Sequence, residues 1–149
     1  MLAAALAACG TGTPAQSAPT ESGAQSGLRE VPLTVRSATG AHRFTVEVAA
    51  TPEQQEIGLM FRRAIDPDRG MIFPYDPPQA VAFWMKNTLI PLDMVFIRAD
   101  GTIVRIATAT PLSLDPVPSG EPVAAVLEIA GGRAAQLGID AGDKVDWEH

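Results

Sequence analysis

Met94-Val95-Phe96-Ile97-Arg98-Ala99-Asp100-Gly101-Thr102-Ile103-Val104-Arg105-Ile106-Ala107-Thr108-Ala109 is the stretch on which the reading of this chain turns. Residues 94 to 97 are apolar on both parities of a strand, so that strand has to be covered on both faces. Asp100-Gly101 is a strong two-residue hairpin signal, and Thr102 to Ala109 returns as the partner strand. A hairpin with one strand buried from both sides places the chain among layered β folds.

Outward from this hairpin the same signals recur. Val31 to Arg36 and Phe44 to Val48 alternate apolar and polar residues and predict a first hairpin across Ser37 to Arg43. Thr51-Pro52-Glu53-Gln54 combines an N-cap Thr, Pro at the first helical position and Gln three residues after the cap, which starts a short helix. Ile57, Met60 and Phe61 fall at i, i+3 and i+4 and are expected to form its buried stripe. Gly70 to Phe73 is a short strand closed by Pro74, Pro77 and Pro78, which forbid a regular ladder. Ala80 to Met85 is again apolar on both parities and reads as an inner strand. Pro111 to Pro122 is irregular, Val123 to Ala130 is a strand broken by Gly131-Gly132, Arg133 to Leu137 is a helical turn stopped at Gly138, and Lys144 to Trp147 is a final strand. Seven or eight short strands with one or two short helices make a mainly β protein, a small β-sandwich or partly closed barrel.

The chain has 149 residues, enough for one compact domain and hardly two. Its formal charge of −6 removes the electrostatic footprint of a nucleic-acid binder. One cysteine, Cys9, and two histidines, His42 and His149, cannot build a disulfide framework or a Cys/His metal centre, so neither metal nor cofactor is expected. Residues 1–8 are uncharged, apolar and far shorter than a membrane span, and read as a truncated lipoprotein signal peptide. Leu6-Ala7-Ala8-Cys9-Gly10 resembles the bacterial lipobox, which implies acylation of Cys9 and a lipid anchor. Residues 9–29 would then be the lipidated Cys and a flexible linker, and 30–149 a single β domain. Gly10 to Gly27 holds a single charge, Glu21, and spans on the order of 23 Å as a flexible chain. The expected location is extracytoplasmic and lipid-anchored, on the periplasmic face of the outer membrane in a diderm host, since Gly10 carries no acidic retention signal.

The densest chemistry lies in Phe83-Trp84-Met85-Lys86-Asn87-Thr88-Leu89-Ile90-Pro91-Leu92-Asp93, where an apolar strand runs directly into polar residues. Asp93 shares parity with Val95 and Ile97, and Glu128 shares parity with Val126, so both carboxyl groups interrupt apolar rows. Isolated buried charges are costly. The economical expectation is that Lys86 pairs with Glu128, Asp93 or both beside a pocket edged by Trp84. Trp84, Lys86, Asn87, Asp93 and Glu128 are therefore the candidate ligand-binding residues.

Gly58-Leu59-Met60, Gly70-Met71-Ile72-Phe73, Trp84-Met85-Lys86-Asn87-Thr88, Ile90-Pro91-Leu92-Asp93, Leu127-Glu128 and Gly142-Asp143 resemble, in order and spacing, the motif series of the domain of unknown function 192 family. The resemblance runs from about Phe44 to Val145. It implies a single mostly β domain, often exported behind a lipoprotein leader, with no established activity. Where that family commonly has an acidic and a basic residue ahead of Gly-Leu-Met, this chain has Gln55 and Glu56.

Each motif also admits a plainer role. Trp84 and Met85 suit core positions, and on that reading Trp84→Ala costs roughly 3 to 5 kcal/mol. The Lys86 pair could fix strand register, Asn87 and Thr88 could build a turn, and Gly58, Gly70, Gly138 and Gly142 fit caps and turns. Four functional classes stay open. A membrane-tethered accessory module would bind a small anionic or polar ligand, such as a sugar or carboxylate. A hydrolase or lyase acting on an envelope saccharide would use Asp93 and Glu128 as paired carboxylates, with Lys86 tuning one. Met60, Met71, Met85 and Met94 could offer thioethers to Cu(I), although they suit a core equally well. A structural or interaction protein of the envelope would expose an apolar patch.

Overall fold

The computed structural model describes residues 26–149, so the expected signal segment, Cys9 and most of the expected linker lie outside the described residues. Nine strands and two short helices follow one another as β1 Glu30–Ser37, β2 Gly40–Val48, α1 Pro52–Ile57, β3 Arg69–Gln79, β4 Ala82–Phe83, β5 Leu92–Ile97, β6 Ile103–Ala109, β7 Val117–Pro118, β8 Val123–Ala130, α2 Arg133–Leu137 and β9 Lys144–Trp147. Seven strands form one curled sheet in the order β6-β5-β8-β3-β2-β1-β9, and β4 pairs with β7 in a second, two-stranded sheet. Among the described strands only the β2–β3 pairing is parallel. Among the described residues no helix is long and apolar enough to cross a membrane.

The curl brings the two edges of the large sheet together. Thr102 forms an isolated bridge with Lys144, and the Val145 amide donates to the Gly101 carbonyl at 2.8 Å. Gly101 has φ +81°, and a Cβ there would stand 2.7 Å from the Val145 carbonyl oxygen, so this seam needs glycine on both conformational and steric grounds. The partly closed barrel read from the sequence is thus the architecture observed.

Two cores flank the sheet. Leu33, Val46, Ile72, Val95, Leu127 and Ile129 belong to the larger one, to which α2 contributes Ala134 and β9 contributes Val145. Met71, Phe73, Met94, Phe96 and Val126 belong to the other, together with Leu59 and Met85. All six residues of β5 are buried, as apolarity on both parities predicted. Met71, Met85 and Met94 pack as core side chains, each at most 1% exposed. Among the described residues no group of His, Cys, Asp and Glu could hold a metal ion.

Several expectations need correction. α1 starts with the expected capping box, Thr51 accepting from the Gln54 amide, but ends at Gly58 and buries no residue. Ile57 and Phe61 are exposed, because the chain leaves the helix before a third turn could press them on the sheet. β3 does not stop at Pro74. It runs on to Gln79, although its ladder to β8 is broken between Pro74 and Gln79, where the prolines withhold amides. Of Ala80 to Met85 only Ala82–Phe83 is strand. Gly70 is no turn residue. It lies buried inside β3, where a Cβ would stand 2.4 Å from the Glu128 carbonyl oxygen.

Candidate functional site

Register decides where the carboxyl groups go. β5 pairs with β8 so that Asp93 stands opposite Ile129 and Met94 opposite Glu128. Directly opposed residues of an antiparallel pair share a face, so Asp93 and Glu128 lie on opposite faces of the sheet. The expected convergence of Lys86, Asp93 and Glu128 is not formed.

Asp93 has a structural setting. It is 1% exposed, and its Oδ1 accepts from the Thr108 hydroxyl at 2.6 Å and the Gly132 amide at 2.9 Å, while Oδ2 accepts from the Ala134 amide at 2.9 Å. The N-cap of α2 is Gly132, which has no side chain to offer the first turn. A carboxylate from β5 supplies the cap across 39 residues of sequence, with the favourable charge for a helix start.

Glu128 is on the other face, flanked in register by Met71 of β3 and Met94 of β5. It is 5% exposed and makes no hydrogen bond or ion pair with any described residue. What exposure it has is toward a cleft of about 210 Å³. α1 and the turn after it form one side of the cleft, through Gln55, Glu56, Ile57 and Met60. β3, β4 and the segment after β4 form the other, through Phe73, Tyr75, Phe83, Trp84 and Thr88. The Phe73 and Phe83 rings meet edge to face with centroids 5.1 Å apart, and Phe83 meets Phe96 likewise at 6.4 Å. Burial among these groups pushes the Glu128 carboxyl up to about 8, so at neutral pH it carries its proton. Burial, and secondarily the neighbouring Glu128, push the Tyr75 phenol up to about 12.

Trp84 lines this cleft, but it is 48% exposed and no core residue. Lys86 Nζ lies 5.1 Å from the indole centroid, so the lysine finds a cation–π partner where a carboxylate was expected. Trp84→Ala is accordingly expected to cost about 1 to 2 kcal/mol in thermal or urea denaturation, well below the 3 to 5 kcal/mol of a core aromatic, a cost that Phe73→Ala should show instead. Asn87 and Thr88 build a turn. Thr88 Oγ1 donates to the Lys86 carbonyl at 3.2 Å, and the Asn87 side-chain amide reaches Met60 Sδ at 3.9 Å.

This end of the molecule also stores backbone strain. Phe61, Asn87 and Leu112 are the non-glycine residues with positive φ among those described. They belong to segments tied to one another, the Phe61 amide donating to the Asn87 carbonyl at 2.8 Å and the Leu112 amide to the Thr88 carbonyl at 3.1 Å. Such conformations cost about 1 to 3 kcal/mol each and cluster at functional sites. Ile57, Phe61, Trp84, Leu89, Leu112 and Leu114, the large exposed apolar side chains, all lie on these segments. Behind them Arg62 grips the buried Glu47 through two contacts, at 2.5 and 3.0 Å. Burial pushes the Glu47 carboxyl up, but the hydrogen bonds from Arg62 and Ser26 and the Arg62 charge outweigh it and hold the group below its ordinary value.

Of the five candidate residues, the structure brings Trp84 and Glu128 to one cleft, sets Lys86 and Asn87 on the neighbouring turn and sends Asp93 to the far face. Sequence reasoning missed Tyr75, hidden in a proline-rich segment read as loop, and did not assign Phe73, read as the end of a short strand, or Gln55 and Glu56 to the site. The Gln55 side-chain amide donates to the carbonyls of Ala49 and Pro74, at 3.1 and 3.0 Å, and so fixes α1 as a wall of the cleft.

Residues 33–147 match the family model DUF192, described as "Uncharacterized ACR". No functionally curated protein matches the chain. Two crystal structures are similar. A protein of unknown function from Novosphingobium aromaticivorans DSM 12444 shares 46% identity with a TM-score of 0.82, the match covering 93% of this chain and 100% of that one. A protein from Sinorhizobium meliloti 1021, described as a "putative transcription regulator", shares 43% identity with a TM-score of 0.78, over 80% of this chain and 95% of that one.

Proposed function

This chain belongs to the DUF192 family, and we propose that it is a small-ligand-binding module of the extracytoplasmic space, tethered to a membrane through an acylated Cys9. The observation that carries the binding role is the aromatic-walled cleft of about 210 Å³ that ends on a buried carboxyl group with no protein partner among the described residues. An apolar concavity with one or two convergent polar groups is the usual form of a ligand site. The strained turns beside it, and the apolar side chains they present, give a ligand further surface at the mouth.

The tether rests on the lipobox-like Leu6-Ala7-Ala8-Cys9 and the polar linker after it. A formal charge of −6 argues against carrying the Sinorhizobium protein's description over to this chain. Paired-carboxylate hydrolysis by Asp93 and Glu128 loses its support, since the two groups face opposite sides of the sheet.

The test is a fragment screen by saturation-transfer NMR on the full chain in unacylated form, with Trp84→Ala and Phe83→Ala as controls. Fragments are expected to bind the parent chain and to lose at least tenfold in affinity with either variant. Binding that ignores both substitutions, or no binding by any fragment, contradicts the reading. For the tether, Cys9→Ser is expected to move the protein from the membrane to the soluble fraction of bacteria that express it behind a lipoprotein leader. An unchanged distribution speaks against acylation.

A further inference from the structure

The ionisable groups that line the cleft are all acidic. Its titratable side chains are Glu56 and Glu128, with Tyr75, and no Lys, Arg or His lines it. We propose that its ligand is an organic ammonium ion with an apolar body, the charged group seated against Glu128 and the body held among Phe73, Phe83 and Trp84. This rests on the reading of the cleft as a ligand site and adds the ligand's charge and shape.

Three observations carry it. Glu128 is 5% exposed, points into the cleft and has no counter-ion among the described residues, so a cation entering the cleft supplies the partner that the fold withholds. The walls include the aromatic rings of Phe73, Phe83 and Trp84, and aromatic rings attract ammonium groups through their quadrupoles, as the Trp84 ring does the Lys86 ammonium at 5.1 Å. Ile57 on the cleft wall and Phe61 just beyond it are exposed apolar side chains on which the body of such a ligand can lie. An anion would meet two carboxyl groups and no cation in the cleft.

The proton balance is explicit. Glu128 carries its proton at neutral pH, so binding is an exchange: the ammonium ion enters, the Glu128 O–H bond breaks and one proton leaves to solvent. The ionisable groups that line the cleft with Glu128 are Tyr75 from β3, close enough to feel its charge, and Glu56 from α1, with Lys86 at the rim over Trp84. Met71 and Met94, its neighbours in the ladder, bring no charge. Below the Glu128 pKa of about 8, affinity therefore rises about tenfold per pH unit and levels off above it.

The experiment is calorimetric titration of the full unacylated chain with hexylammonium, 1-hexanol and hexanoate between pH 6 and pH 8.5. Hexylammonium is expected to bind best, to gain about tenfold between pH 6 and pH 7, and to release close to one proton at pH 7, read from buffers of different ionisation enthalpy. Glu128→Gln should weaken it at least tenfold at pH 8 and flatten its pH dependence, while 1-hexanol binding stays unchanged. If 1-hexanol or hexanoate binds as tightly as hexylammonium, or Glu128→Gln leaves hexylammonium unaffected, the ammonium assignment falls and the cleft reading stands. If none of the three probes binds, both fall.

Discussion

Raising the pH from 4.5 to 8 is expected to strip about 4 to 5 kcal/mol from the stability of this domain through Glu128 alone. The unfolded carboxyl titrates near 4.5 and the folded one near 8, because the cleft floor desolvates the anion and offers it no hydrogen bond. Between those values the folded state holds one proton more than the unfolded state, so stability falls as pH rises, by about 1.4 kcal/mol per unit. Below pH 4.5 both states are protonated and the penalty vanishes. Above pH 8 both are ionised and it stays constant. Glu128→Gln removes the titration with little change of shape, so its stability relative to the parent should be near parity at pH 4.5 and several kcal/mol higher at pH 8. Urea denaturation of both chains across this range measures it, and taking the difference cancels every other titrating group. Parallel curves would contradict the buried neutral carboxyl. Glu47 acts in the opposite sense and outside this window. Its pKa lies below the ordinary value, so the stability its pairing with Arg62 contributes is fully present above about pH 4.5 and is lost as pH falls through the lower folded-state value.

Asp93→Ala is expected to cost about 2 to 4 kcal/mol, for a different reason. The substitution leaves the buried Ala134 amide without its acceptor, at about 1 to 3 kcal/mol for a donor left buried and unpaired, and takes the acceptor from the part-buried Gly132 amide and from the hydroxyl of the exposed Thr108, where water can replace it. α2 would lose its N-terminal cap with them. Asp93→Asn keeps one acceptor oxygen but turns an amide group toward a donor, and should cost about half as much. Because Asp93 lies on the face away from the cleft, both variants should bind cleft ligands as the parent does wherever they remain folded. Denaturation combined with a binding isotherm separates the two roles, and a loss of affinity without loss of stability would return Asp93 to the site.

The strands were legible because their signals are local. Asp100-Gly101, the Thr51 capping box, the Arg133 to Leu137 turn stopped at Gly138 and the doubly apolar β5 all follow from neighbouring residues, and the structure keeps each of them. The site was legible only in part, since it depends on the register between strands far apart in sequence. Parity shows that Asp93 and Glu128 each interrupt an apolar row, yet only the Asp93–Ile129 pairing tells that the two rows face opposite ways. The same distance hides the cap on α2, where Gly132 reads as a helix start without a side chain until a carboxylate arrives from β5. Trp84 misled because its neighbours are apolar. The segment leaves the sheet after Phe83, so the indole stands at the mouth of a cleft and not in a core. Tyr75 was hidden by prolines, which break a ladder without ending a strand.

The most direct test of the central claim, a single protonated carboxyl at the floor of an aromatic cleft, is the titration of that group itself. Carbon-13 NMR of the chain labelled at glutamate Cδ, with the Glu128→Gln spectrum to assign the signal, follows it through the pH range. A midpoint near 8 is the expected result. A midpoint near 4.5, where an ordinary glutamate titrates, would show a solvated or paired carboxylate and contradict the reading of the cleft and of the ligand proposed for it.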